Sequence, residues 1–131
     1  MTPRLAKELE LLLRVYPDAK HENASWVLIP RYPLPTGWNR QCTDVAFQVP
    51  TGYPATPPYG IYVPTGIRFG TIKPSSYTEP AGNQPPFSGT WAIFSWAPGD
   101  GEWHVPSTEI IGRASLLSFV RSFQARFAEG A

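Results

Sequence analysis

Asp44-Val45-Ala46-Phe47-Gln48-Val49-Pro50-Thr51-Gly52-Tyr53-Pro54-Ala55-Thr56-Pro57-Pro58 is the stretch whose reading decides the fold. Val45, Phe47 and Val49 fall at every second position, which predicts a strand over 44–49 with one buried face. Pro50, Pro54, Pro57 and Pro58 then fix φ and remove backbone donors, so the strand must stop and the chain must turn a rigid corner. Gly60-Ile61-Tyr62-Val63 reads as the next strand. Upstream, Trp26-Val27-Leu28-Ile29, continuing through Arg31 and Tyr32, reads as an earlier one, with Pro35-Thr36-Gly37-Trp38-Asn39 as the turn between. Pro30, Pro33 and Pro35 point to an edge position or an early exit for that strand. Consecutive strands with short connections predict an antiparallel meander.

Outward from the meander lie two helices and one long connection. Leu5, Leu9, Leu12, Leu13 and Tyr16 repeat at helical spacing. Thr2 is the candidate cap and Pro3 the first helical position, and Pro17 ends the element. A second helix is predicted from about Thr108 to about Phe127, with Leu116, Val120, Phe123 and Phe127 as its core stripe. Residues 64–90 are rich in Gly, Pro, Ser and Thr and read as a long ordered loop, a length that is usually functional or mobile. Trp91-Ala92-Ile93-Phe94-Ser95-Trp96 is extended, and Pro98-Gly99-Asp100-Gly101 is a turn. The order helix, meander, irregular loop, helix predicts a two-layer α+β domain occupying 1–131 as one unit.

The bulk numbers remove several function classes. With 131 residues, 42% hydrophobic content, 16% charged residues and a net charge of +1, the chain has enough apolar material for one core and no broad pull toward nucleic acid or anionic membrane. Sixteen prolines interleaved with aromatics suggest short strands joined by stiff loops. The first residues lack a signal-peptide pattern and no apolar run has membrane-spanning length, so a cytoplasmic protein is expected. The single cysteine, Cys42, leaves no internal disulfide, no His/Cys/Asp grouping has metal-ligand spacing, and there is no Gly-rich phosphate loop. No cofactor is expected.

Three matches carry a resemblance to the ubiquitin-conjugating (UBC) fold. Tyr53-Pro54-x-x-Pro57-Pro58 follows a strand as the family's proline corner does. Trp103-x-x-Pro106 stands before a helix bearing Leu116-Leu117-Ser118, and the first helix enters the meander at a suitable distance. Leu34-Pro35-x-Gly37-Trp38-Asn39 and Val49-Pro50-x-Gly52-Tyr53-Pro54 resemble a bacterial branch, prokaryotic family E. The resemblance implies a carrier that takes a ubiquitin-like protein from an adenylating activating enzyme and passes it to an amine, with a deconjugating peptidase in the same pathway. It also implies that the first helix, with Arg4, Lys7 and Arg14, and the region of Tyr59 contact partners; solvated or packed side chains are the simpler alternative.

The departures are as informative. The family's His-Pro-Asn tripeptide is absent, the nearest candidates being Asn83 and Pro85-Pro86. Two helices that usually follow the long helix have no counterpart. The family's catalytic cysteine sits eight residues before its tryptophan, and the same count back from Trp103 reaches Ser95. A serine there would carry the modifier as an oxyester, slower to discharge than a thioester, and would need a base because serine is the weaker nucleophile. Asp100 and His104 are the candidate base or base-orienting residues, and Asn83 the candidate oxyanion donor. The competing reading makes Ser95 an ordinary strand serine in a silent, scaffolding UBC variant. Cys42 is either a relocated nucleophile or a small buried hydrophobe. His21 reads as a solvated loop histidine. Trp91, Trp96 and Trp103 read as packing residues, with shielding of an acyl bond as the alternative.

Overall fold

A computed structural model of the chain describes residues 3–22, 25–53, 56–96 and 116–130. Its elements run α1 (Pro3–Val15), β1 (Lys20–Glu22), β2 (Trp26–Pro33), β3 (Cys42–Gln48), β4 (Ile61–Pro64), β5 (Tyr77–Thr78), β6 (Trp91–Phe94) and α2 (Leu116–Glu129). The strands form one sheet in the order β1-β2-β3-β4-β6-β5, antiparallel at every junction. This is the α+β, UBC-like arrangement that the sequence predicts.

The meander is present over β1 to β4, and its registers explain the prolines. β1 pairs with β2 only from Trp26 to Leu28. Pro30 and Pro33 lie past the end of β1, where β2 has a partner on one side only, so their missing donors cost no ladder bond on the open side. Between Ile29 and Tyr32 the register with β3 slips by one residue. Arg31 occupies the slip with φ 55°, and its N–H donates to Asp44 Oδ1 at 3.1 Å. Such a bulge bends the strand without ending it.

Alternation sorts the side chains onto two faces. Val27, Ile29, Val45, Phe47, Ile61, Val63, Ala92 and Phe94 form the face covered by both helices. Leu9 and Leu12 of α1, with Leu116, Phe119, Val120, Phe123 and Phe127 of α2, complete that core. The four stripe residues predicted for the second helix are all buried, while Leu13 of α1 turns outward. Tyr32 OH donates to Val120 O and Trp38 Nε1 donates to Phe127 O, both at 2.9 Å, so α2 is bonded to the sheet as well as packed on it. The predicted beginning of this helix, Thr108 to Ser115, lies outside the described residues.

The opposite face carries a second, smaller core of Trp26, Ala46, Tyr62, Ala81 and Trp91, flanked by Leu28, Phe87 and Ile93. Its cover is the long connection. Ala81 N–H donates to Trp91 O at 2.9 Å, and Gln84 clamps Trp91 from both sides, Nε2 donating to Trp91 O and Oε1 accepting from Trp91 N–H. The predicted loop is therefore ordered, and it also contains β5, which pairs outside β6.

Two polar clusters, one buried and one partly exposed, tie the elements together. Glu8 is 1% exposed, and its carboxylate accepts from Arg4 Nε at 2.9 Å, from the Tyr53 hydroxyl and from Leu116 N–H at 2.8 Å. One carboxylate thus joins α1, the proline corner and the positive N-terminal end of α2. Arg4, read from the sequence as part of an outward basic side, instead reaches inward to this cluster. The second cluster centres on Glu79, which pairs bidentately with Arg68 and accepts from Tyr77 OH and Gly66 N–H.

Candidate functional site

Ser95 immediately follows β6. Its N–H donates to Ser76 O at 2.8 Å, and the next carbonyl, Trp96 O, accepts from Gly60 N–H at 2.6 Å. These bonds continue the ladder one step past the pairs Ile61↔Phe94 and Tyr77↔Phe94. Trp91 and Ile93 belong to the smaller core, so the alternation carries Ser95 onto that same face. Ser95 is exposed there. Trp96, its neighbour, goes to the other face, where its Nε1 donates to Ser122 Oγ at 3.0 Å. It is therefore a packing residue, whereas Trp91 lies buried on the Ser95 face.

Asn83 reaches this face from the long connection. The bonds of Ala81 and Gln84 to Trp91 hold the backbone on either side of it against the sheet. The Asn83 amide lies 3.5 Å from Gln48 Oε1. Extending the β3–β4 register from Ala46↔Tyr62 sets Gln48 opposite Gly60, and Gly60 is in turn beside Ser95. Gln48, Gly60 and Ser95 thus form a row across three strands, with the outer two about 10 Å apart at Cα. Gly60 has φ 87°, and a Cβ on it would stand 2.6 Å from Ile93 Cδ1. The middle of the row is consequently bare backbone with an isoleucine methyl leaning over it.

Asp100 and His104 lie outside the described residues, as do Trp103 and Pro106. Cys42 is exposed at the opposite end of β3, paired with Pro33 and six residues from Gln48, a separation of about 20 Å along a strand. It is neither a buried hydrophobe nor a neighbour of Ser95. His21 sits on the exposed edge strand β1 rather than in a loop.

Glu79 lies three residues along the chain from Ser76, apart from the row, and its donors keep it charged. The Arg68 guanidinium first, then Tyr77 OH and Gly66 N–H, hold its carboxyl down at about 2. Burial together with that carboxylate pushes the Tyr77 phenol up. At the other cluster, burial and then the Glu8 carboxylate push Tyr53 up. Among the described residues no group of three or more His, Cys, Asp or Glu is placed to hold a metal ion. No described helix is long and apolar enough to cross a membrane.

Sequence reasoning did not single out Gln48, Gly60, Gln84 or Glu79. Gln84 and Glu79 were hidden in the polar composition of the loop. Gly60 carries the one usable signal, a glycine directly after a proline corner and before an apolar strand.

An antiparallel sheet backed on one face by two helices is the arrangement of an E2-like protein. The chain belongs to prokaryotic E2 family E, whose family model matches residues 7–120. Neither the curated proteins nor the solved structures contain a match. Membership supports a conjugating, transferase-type role in general, with a modifier and an activating enzyme as the partners that such a role requires.

Proposed function

We propose that the protein carries a ubiquitin-like modifier as an oxyester on Ser95. Ser95 Oγ attacks the activated C-terminal carbonyl that the adenylating enzyme presents. A C–O bond forms, the proton leaves Oγ for a base, and the bond to the activating enzyme's leaving group breaks as the tetrahedral species collapses. His104 or Asp100 fills the role of base or base-orienting residue, and the Asn83 amide donates to the oxyanion. Attack by an acceptor amine then releases the Ser95 hydroxyl and completes transfer. A deconjugating peptidase acts later in the same pathway.

The observation that carries this reading is the exposed position of Ser95 at the end of β6, on the face to which the Gln84 clamp brings Asn83. Incubation with the cognate activating enzyme, modifier and ATP is expected to give a hydroxide-labile, thiol-resistant adduct that Ser95→Ala abolishes. No adduct with an active partner set overturns it.

A second reading is a silent scaffold that binds the modifier or the activating enzyme. It is favoured by the Ser95–Ser76 bond, which is what an ordinary strand serine makes. Normal pathway output with Ser95→Ala, together with loss of output when the Tyr53 corner is disrupted, selects this reading.

A further inference from the structure

Arg126 lies in the last turn of α2 and is 4% exposed. A buried guanidinium needs compensating partners, since an unpaired charge is costly to remove from water. Its Nη1 donates to Gly130 O at 2.8 Å and its Nη2 to Ser75 O at 2.9 Å. Its central carbon stands 4.7 Å from the Phe94 ring centroid, within reach of the negative ring face. The carbonyl end of α2 adds favourable partial charge. Burial nevertheless pulls this group below the ordinary guanidinium range, with Glu129 opposing.

Two of these contacts bracket Ser95. Phe94 precedes it in the chain. Ser75 precedes Ser76, whose carbonyl accepts the Ser95 N–H. Ser76 has φ 51°, a left-handed conformation that a serine keeps only when its surroundings impose it. Arg126 bonds the residue immediately before it. The guanidinium therefore bonds the backbone just before Ser76 and packs on the side-chain ring just before Ser95, from the helix side of the sheet and opposite the face that carries Ser95.

We propose that Arg126 is a positioning residue for Ser95, fixing the Phe94 ring before it and the Ser75–Ser76 backbone beside it and thereby the direction of the hydroxyl. The proposal deepens the oxyester reading and rests on it for its catalytic meaning.

The test compares the full-length wild type with Arg126→Lys, which keeps the charge but not the two-armed reach, and Arg126→Met, which keeps only the bulk. The first readout is amide hydrogen exchange. In Arg126→Met the Ser95 N–H is expected to exchange about tenfold faster relative to the amides of β2 and β3, with Arg126→Lys between. Leu12→Ala, a core change on α1, is the control and accelerates all of these amides in parallel. The second readout is loading with activating enzyme, modifier and ATP, where kcat falls about tenfold in Arg126→Met while KM for the charged activating enzyme holds. Partial recovery of kcat in Arg126→Lys is expected. If Arg126→Met does not fold, Arg126→Lys carries both readouts. Exchange at Ser95 that tracks the β2 and β3 amides, or an unchanged loading kcat, overturns the proposal. If the wild type forms no adduct, the oxyester reading fails, and the exchange result alone decides whether Arg126 sets the backbone at Ser95.

Discussion

The phenol of Tyr53 donates to the buried carboxylate of Glu8, and through the same carboxylate the proline corner is tied to Arg4 and to the Leu116 N–H. A carboxylate removed from water is tolerated only while its donors remain. Tyr53→Phe leaves the acceptor short of one donor and is expected to cost about 1–3 kcal/mol. Glu8→Ala removes the acceptor shared by Arg4, the Tyr53 hydroxyl and the buried Leu116 N–H and should cost about 3–5 kcal/mol. Urea unfolding of both variants checks this, and a Glu8→Ala cost below that of Tyr53→Phe contradicts it.

Glu79 makes stability depend on acid. Its carboxyl titrates at about 2 in the folded chain against an ordinary value of 4.5. Because the folded value is depressed, the contribution is complete above the unfolded value and fades as pH falls through the folded one. Glu79→Gln should therefore be less stable than wild type at neutral pH. The gap should narrow steadily between pH 4.5 and pH 2. A gap independent of pH across that window contradicts the assignment.

Gly60 meets two separate obstacles to a side chain, its φ of 87° and the Ile93 Cδ1 tip. Gly60→Ala is expected to cost about 1–3 kcal/mol. Adding Ile93→Val, which removes the Cδ1 methyl and leaves Cγ1, should recover part of the steric cost and leave the backbone cost. Strict additivity of the two substitutions in thermal unfolding contradicts the close approach.

The elements whose hydrophobic period was strong were legible from the sequence. Leu9 and Leu12 in α1, Val45 and Phe47 in β3, and the stripe from Leu116 to Phe127 all face the core as their spacing requires. Edge strands were not legible. Lys20-His21-Glu22 is wholly exposed and Tyr77-Thr78 is two residues long, so neither has an apolar alternation to announce it. Both exist because a neighbouring strand offers its open ladder. Pro30, Pro33 and Pro35 pointed to an edge position or an early exit, whereas β2 lies between β1 and β3 and runs to Pro33, because the bulge at Arg31 that carries it past β1 depends on Asp44, thirteen residues away. Position 95 was found through the likeness of the Trp103 segment. The loop brings Asn83 to the same face by Gln84 clamping Trp91, a contact that no local pattern records.

The side chain of Ser95 carries the central claim, and changing its nucleophilic atom tests it. Ser95→Cys keeps the geometry and turns the expected oxyester into a thioester. Wild type and Ser95→Cys are each charged with activating enzyme, modifier and ATP, then split between hydroxide and a thiol reductant and read by intact mass. The wild-type adduct is expected to resist thiol and yield to hydroxide, and the Ser95→Cys adduct to yield to thiol. A wild-type adduct that survives hydroxide, or one whose lability is the same in Ser95→Cys, contradicts it.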